Sequence, residues 1–149
     1  GNYYLTTPIY YVNAQPHLGH AYTTIVCDAV ARWHRLLGDD VYFLTGTDEH
    51  GLKIQQAAEA AGTTPQAFTD SIAPLFQKAW ERLNISHNDF IRTTEQRHRV
   101  GVQKLLQACF DAGDIELDKY SGLYCKLNVA GIEKIEEHTS ELQSLRRIS

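Results

Sequence analysis

The sequence predicts an α/β fold in which helices flank a parallel sheet. Three short stretches rich in aromatic and β-branched residues lie at residues 3–7, 41–44 and 89–94, and a helical pattern follows each of them. Strands that alternate with helices form parallel sheets with right-handed crossovers. The chain has 149 residues, of which 43% are hydrophobic, so it is large enough to bury a core of its own.

The first strand leads into a helix that begins near Leu18. Apolar residues recur along this helix at intervals of three and four, which is typical of an amphipathic helix. These positions are Ala21, Ile25, Val26, Ala29, Val30, Trp33 and Leu37. The second strand, at residues 41–44, runs into a turn at residues 46–48, and strong helix formers then continue to Gly62.

A third helix is predicted to begin at Thr64, with Thr64 as the N-cap and Pro65 in the first helical position. Its apolar stripe consists of Ile72, Leu75, Phe76, Ala79, Trp80 and Leu83. The third strand, "DFIRTT", ends at Thr94, which we expect to cap a further helix that stops at Gly113. The apolar face of that helix is Val102, Leu105, Leu106, Cys109 and Phe110.

Charge and cysteine content exclude several classes of protein. The formal net charge of −4 argues against a broad nucleic-acid surface on this chain, because clustered Lys and Arg make phosphate contacts. No apolar run approaches the roughly 20 residues that span a bilayer, so we expect no membrane partner. Three cysteines cannot form a closed disulfide framework, and no secretory signal is visible. We therefore expect free thiols, no disulfide partner and a cytoplasmic setting.

Two histidines, His17 and His20, flank Gly19 where the first helix begins. In an open parallel sheet, ligands bind at the carboxyl ends of the strands, where a helix N-terminus offers unpaired N–H groups to an anion. Imidazole N–H groups there can donate to phosphate oxygens, and a glycine lets a flat base lie against the backbone. The alternative is that both histidines merely cap the helix or bind surface water. The position of the motif favours a nucleotide site.

The stretch Pro16-His17-Leu18-Gly19-His20 resembles the HIGH signature of the class I aminoacyl-tRNA synthetases. Four further stretches, "TTPIYYVN", "TGTDEHG", "DFIRTTE" and "AGDIELDKYSGLYC", are similar to the methionyl-tRNA synthetases of bacteria and organelles. The resemblance covers residues 3–125. It implies a Rossmann-like parallel sheet, of which this chain would be the truncated N-terminal half. It also implies an enzyme of protein synthesis that joins methionine to ATP as methionyl-adenylate and transfers the methionyl group to tRNA(Met).

The resemblance gives particular residues a role at the ATP end of the site. His17 and His20 would hold the ATP phosphates and act as the catalytic residues, while Gly19 would let the adenine stack. The cofactor implied is ATP with Mg²⁺. Catalysis of this kind rests on positioning and charge stabilisation.

At the methionine end, Pro8, Ile9 and Tyr11 match the first wall of the amino-acid pocket. Ordinary burial at a strand end is the alternative for these three residues. Asp48 matches the carboxylate that pairs with the α-ammonium of methionine, and it could also cap the following helix. Two neighbours are expected either to border the site or to support it from behind: Glu49 and His50.

Cys125 matches the first cysteine of a zinc knuckle that many family members carry. Zinc needs four ligands, and after Cys125 the chain holds no further cysteine and only one histidine, His138. We therefore expect no metal site within this chain, with Cys125 as a remnant of the first zinc ligand. Zinc remains possible in the full-length parent.

Residues 126–149 have no counterpart in the family, so the predicted boundary lies between residues 125 and 126. The stretch "EEHTSELQS" and the closing "RIS" resemble the translation of a sequencing-adapter oligonucleotide, which predicts read-through or an artefact. As a peptide, the tail could form a short helix with a face of Ile132, Ile135, Leu142 and Leu145. The lysine-rich KMSKS loop and the anticodon-binding domain have no match, so we expect the fragment to be inactive alone, with residues 3–7 as an exposed edge strand.

Two alternatives remain open at this point. The chain could be another HxGH nucleotidyltransferase, such as a small cytidylyltransferase. That family carries a basic signature near its C-terminus, where this chain has only Arg146 and Arg147. It could also be a non-catalytic module that binds a nucleotide or a partner and retains the fold without the chemistry.

Overall fold

A computed structural model describes residues 1–127 and 133–145, with side chains described up to residue 117. The chain divides into two compact units, Gly1–Arg99 and a second unit that begins at Val100. The elements are β1 (Asn2–Thr6), β2 (Tyr10–Tyr11), α1 (Leu18–Leu36), β3 (Asp40–Asp48), α2 (Leu52–Ala60), α3 (Pro65–Arg82), β4 (Asp89–Arg92), α4 (Gln96–Asp111), β5 (Ile115–Leu127) and β6 (Glu133–Leu145). No helix in these ranges is long and apolar enough to cross a membrane.

The sheet of the first unit is parallel, as predicted, and β3 is its centre. Leu44 has a partner in both β1 and β4, and Thr47 has a partner in both β2 and β4. β1 and β2 therefore lie along one edge of β3, and β4 lies along the other. Within the described residues β1 pairs only with β3, which confirms the expected edge strand. The carboxyl ends of all four strands meet at one edge of the sheet.

The core lies on one face of the sheet, beneath the helices of the first unit. Alternate residues of β3, Val41 and Phe43, are buried, while Tyr42 between them is exposed. Phe76 and Trp80 of α3 are fully buried, which confirms the apolar stripe predicted for this helix except at its end, where Leu83 is exposed. The buried residues of this apolar cluster are Tyr10, Val12, Ala31, Val41, Phe43, Ile54, Phe76, Trp80, Ile85 and Phe90.

α1 packs on this core through a face that its apolar pattern does not mark. Its buried residues are Thr24, Asp28 and Ala31, whereas most of the recurring apolar positions, including Trp33, are exposed. Hydrogen bonds account for this orientation of α1. Asp28 accepts from the Ser86 N–H at 2.7 Å and from the Ser86 hydroxyl at 2.6 Å. Burial raises the pKa of this carboxyl, but the bonds from Ser86 and Arg32 outweigh it and hold the pKa below its usual value.

Local signals placed the start of α3 correctly but not that of α4. The Thr64 hydroxyl accepts from the Ala67 N–H at 3.2 Å, so the predicted cap is confirmed. The predicted Thr94 cap is wrong, because α4 begins at Gln96 and the Thr94 hydroxyl donates to the Glu49 carboxylate at 2.5 Å instead. None of the residues of α4 is buried, and its predicted apolar face is exposed apart from half-buried Cys109.

The second unit contains an antiparallel pair, in which β5 runs beside β6 from Ile115↔Leu145 to Leu127↔Glu133. The short helix predicted for the tail is therefore wrong, because pairing with β5 overrides local helix preference. Ile132, Arg146 and Arg147 lie outside the described residues, and so do the side chains of Cys125 and His138. The predicted boundary after residue 125 stays a prediction.

Gly46 is predicted to be irreplaceable at the contact between β3 and β4. A Cβ atom at this position would lie 2.0 Å from the Ile91 carbonyl oxygen, so Gly46→Ala forces the two strands apart. We expect it to lower the free energy of unfolding by about 1 to 3 kcal/mol or more. Urea unfolding followed by the fluorescence of buried Trp80 measures this loss.

The control is Gly101→Ala in α4, where an added Cβ meets nothing within 4 Å. Alanine favours a helix over glycine by about 1 kcal/mol, so this variant should be neutral or slightly more stable. Equal urea midpoints for Gly46→Ala and the parent chain would contradict the close approach of the two strands.

Candidate active site

The sequence-predicted site residues gather at the carboxyl edge of the parallel sheet. β2 pairs with the last two residues of β3, so Tyr11 lies directly beside Asp48. In a parallel pair, register partners project on the same face of the sheet. Six residues separate β2 from α1, whose N-cap is His17 and whose first turn carries Gly19 and His20. The expected neighbourhood of strand ends and helix start is therefore present.

His17 and His20 cap α1 reciprocally. His17 is the N-cap, in an extended conformation, and its Nδ1 accepts from the Gly19 N–H at 3.1 Å. The His20 Nδ1 in turn accepts from the His17 N–H at 3.1 Å. The two rings stack with centroids 3.7 Å apart. Both histidines therefore cap the helix, as the alternative interpretation expected.

A nitrogen that accepts from a backbone N–H carries no proton of its own. Each neutral ring therefore holds its proton on Nε2. No described residue bonds either Nε2, and His17 is exposed to solvent. The cap thus fixes the tautomer and leaves two N–H donors at the positive end of the α1 dipole, which is an arrangement suited to oxygen atoms of an anion.

Aromatic residues hold His20 in place. Its ring centroid lies 4.9 Å from that of Tyr10 and 5.3 Å from that of Phe76. Burial lowers the pKa of His20, and the neighbouring His17 lowers it further. His20 is consequently a neutral donor and not a cation in neutral solution.

Tyr10 is a site residue that the sequence interpretation missed. The Thr24 hydroxyl donates to the His20 carbonyl at 2.9 Å, so the Tyr10 hydroxyl, 2.9 Å from Thr24, must donate to it. Burial raises the pKa of Tyr10. This buried chain ties the end of β2 to the first turn of α1. No signal in the sequence marks Tyr10, because Ile9, Tyr10 and Tyr11 are all large apolar or aromatic residues, and only the structure separates buried Tyr10 from its exposed neighbours.

Gly19 has a structural reason to be glycine. A Cβ atom there would lie 3.0 Å from Cε1 and 3.1 Å from Nδ1 of the His17 ring. Any side chain would therefore press on the ring that caps the helix. This requirement is compatible with the predicted stacking of an adenine over Gly19.

The predicted methionine wall is open to solvent. Ile9 is 42% exposed, Tyr11 is 56% exposed and Pro8 is also exposed, so ordinary burial is the wrong explanation for all three. Asp48 is half-buried and accepts from the His50 N–H at 3.3 Å. It does not cap α2, whose N-cap is Gly51 with a φ of 114° and no side-chain bond. The capping role considered for Asp48 is therefore wrong.

Glu49 and His50 differ in their surroundings. Glu49 is buried and forms an ion pair with Arg92, whereas His50 is exposed with its Nδ1 3.0 Å from the Thr93 hydroxyl. Burial of Glu49 favours the expectation that it supports the predicted site from behind. Sequence reasoning did not identify Arg92 or Thr93, because their partner lies more than forty residues earlier in the chain.

The metal-binding capacity of the described side chains is limited. Up to residue 117, no three His, Cys, Asp or Glu side chains lie close enough together to hold a metal ion. In the same range Cys27 and Cys109 are free thiols.

Protonation of His20 is predicted to weaken the start of α1. Because burial, and then His17, lower its pKa in the folded chain, the stabilisation by neutral His20 is complete above about pH 6.5 and is lost as the pH falls through the folded-state pKa. A proton on Nδ1 would also remove the acceptor for the His17 N–H. Urea unfolding measured between about pH 5 and pH 8 should therefore show lower stability at the acid end.

His20→Gln is the matched control, because glutamine at this position can still accept from the N-cap N–H but does not titrate. Its loss of stability toward acid should be smaller. Imidazole ¹⁵N spectra at about pH 8 should show Nε2–H tautomers for both rings. An Nδ1–H tautomer in either ring would contradict the reciprocal cap.

Comparison with known proteins places this geometry in a family. The protein-family model described as class I tRNA synthetases (M) matches residues 3–130 of the chain. Methionine–tRNA ligase from Bacillus subtilis is 57% identical over 122 residues, which are 82% of this chain and 18% of that protein. Methionine–tRNA ligase from Mesorhizobium japonicum is 51% identical over 139 residues, which are 93% of this chain and 27% of that protein. The chain thus spans about a fifth to a quarter of the length of these relatives.

Solved structures agree with the family match. A Mycobacterium tuberculosis methionyl-tRNA synthetase in complex with methionyl-adenylate superposes with a TM-score of 0.82 at 44% identity, over 95% of this chain and 31% of that chain. A second structure of the same enzyme, bound by methionyl-adenylate, gives 0.87 at 41% identity, over 98% of this chain and 32% of that chain. The expected Rossmann-like fold is confirmed, and the alternative of another HxGH nucleotidyltransferase is wrong. The chain belongs to the class I tRNA synthetases of the methionyl type.

Proposed function

We propose that this chain is the ATP-binding front part of a methionine–tRNA ligase. Within such an enzyme it would serve the activation of methionine by ATP and the transfer of the methionyl group to tRNA(Met). One observation carries the proposal: His17 and His20 together cap the start of the helix that follows the carboxyl end of the sheet, and no described residue binds the Nε2–H group of either.

In the proposed reaction a carboxylate oxygen of methionine attacks the α-phosphorus of ATP. A bond forms between that oxygen and the α-phosphorus, the bond from the α-phosphorus to the bridging oxygen breaks, and pyrophosphate leaves. Negative charge shifts toward the departing phosphates. Donors fixed in advance stabilise such charge without reorganising, which is the role proposed for His17 and His20.

The α-ammonium and side chain of methionine would bind beside the histidines. Asp48 makes no ion pair among the described residues and lies next to Tyr11, so its carboxylate can receive an ammonium group. Pro8 and Ile9 would extend the wall formed by Tyr11 along the thioether side chain. An apolar wall of this kind discriminates modestly, since one methylene is worth about 1 to 3 kcal/mol.

The remaining partners follow from the family. Magnesium enters the proposal as the ion that accompanies ATP, and no step is assigned to a metal held by the described side chains. tRNA(Met) is proposed as a partner of the whole enzyme. Zinc is proposed only for a full-length parent.

Replacing the histidines by residues that cap equally well separates capping from catalysis. His17→Asn keeps an N-cap acceptor, and His20→Gln keeps the acceptor of a capping box, but both remove the Nε2–H donor. We expect each change to reduce methionine-dependent exchange of labelled pyrophosphate into ATP by about 10²-fold or more. The assay uses a chimera in which residues 3–125 replace the matching segment of the Bacillus subtilis enzyme. Circular dichroism should show unchanged helix content.

Full exchange activity in both variants would show that the histidines act only as caps and would contradict the proposed roles. The unmodified chain, assayed in parallel, should exchange no pyrophosphate. If the chain alone were active and His20→Gln abolished the activity, the need for a lysine-rich loop would be wrong. ATP binding by the chimera without any exchange would instead favour a non-catalytic nucleotide-binding module.

A further inference from the structure

We propose that Glu49 and Thr93 are positioning residues, which fix the backbone of Asp48 so that its carboxylate points at the methionine site. The inference rests on the proposed function, in which Asp48 receives the α-ammonium. The stretches "TGTDEHG" and "DFIRTTE" supply the two sides of the contact. Neither Glu49 nor Thr93 touches the proposed ligands.

The Glu49 carboxylate is completely occupied. Its side chain has no exposed surface. Oε1 accepts from the Thr47 hydroxyl at 2.8 Å and from Arg92 Nε at 2.7 Å, and Oε2 accepts from a terminal Arg92 nitrogen at 3.0 Å and from the Thr94 hydroxyl at 2.5 Å. Four hydrogen bonds to this carboxylate meet the requirement that a buried polar group be paired. The Glu49 carboxylate in turn raises the pKa of the Arg92 guanidinium, and Asp70 adds to this.

Thr93 lies between Arg92 and Thr94, which both donate to Glu49, and it binds the peptide groups on either side of Asp48. The Thr93 N–H donates to the Thr47 carbonyl at 3.2 Å, which belongs to the peptide before Asp48. The Thr93 hydroxyl accepts from the Glu49 N–H at 2.9 Å, which belongs to the peptide after Asp48. With both peptide planes held, φ and ψ of Asp48 are fixed.

Alternation along the strand then directs the side chains. Thr47 and Glu49 share one face, as the bond between their side chains requires, so Asp48 projects on the other. Tyr11, the register partner of Asp48, lies on that same face. Glu49 therefore forms an ion pair with Arg92 on the buried side. On the open side, the Asp48 carboxylate accepts from the His50 N–H and forms no ion pair among the described residues.

The test compares Michaelis constants in the chimera described above. Thr93→Val removes the acceptor for the Glu49 N–H with little change of shape, and Glu49→Gln removes the charge that holds Arg92. Each should raise the KM for methionine about tenfold, as expected for one lost hydrogen bond in the positioning of a ligand, with the KM for ATP changed less than about twofold. Thr93→Ser retains the hydroxyl and should restore the parent values.

Asp70→Asn is the matched control. It removes the charge of the exposed partner of Arg92, 2.5 Å away, but leaves the Glu49 contacts intact, so neither KM should change. If Thr93→Val left the KM for methionine unchanged, or raised both constants equally, Thr93 and Glu49 would have only a structural role and the inference would be wrong. The comparison of Thr93→Val with Thr93→Ser tests the inference even if the Glu49→Gln variant does not fold. A parent chimera without any exchange would overturn the proposed function itself, and the inference with it.

Discussion

The parallel pairing of β3 with strands on both of its edges is the constraint on which the rest of the structure depends. β1 and β2 lie along one edge and β4 along the other, so their carboxyl ends meet at one place. Asp48 ends β3, Thr93 follows β4, and the loop after β2 leads to His17. Residues far apart in sequence thus converge because the strands that carry them run in the same direction.

Two polar devices at this edge follow the same physical logic. At the start of α1, the Nδ1 atoms of His17 and His20 accept from backbone N–H groups, and no described residue binds either Nε2–H group. At the end of β3, Glu49 forms an ion pair with Arg92, whereas Asp48 forms none among the described residues. In both places an internal bond fixes the orientation of a neighbouring group that faces solvent. Orientation set before a ligand arrives lowers the cost of binding and of charge development.

Much of the fold was predictable because its signals are local. Thr64 followed by Pro65 is a local signal for a helix start, and the three predicted strands are each followed by a helix in the chain order that was expected. The failures involve partners that are distant in sequence. Asp28 is buried because Ser86 donates hydrogen bonds to it. Thr94 does not cap α4, because its hydroxyl donates to Glu49 instead. The histidine motif was visible in the sequence, but the tautomers that its cap imposes required the geometry.

The most direct test of the account is an amide NMR titration of the ¹⁵N-labelled chain with a non-hydrolysable analogue of methionyl-adenylate. If the histidine cap and the Asp48 carboxylate border one site, resonances of Tyr11, Gly19, His20 and Asp48 should shift together along a single binding curve. Resonances of α4 should stay unchanged. Shifts confined to α4, or separate binding curves for Gly19 and Asp48, would contradict a single site at the carboxyl edge of the sheet.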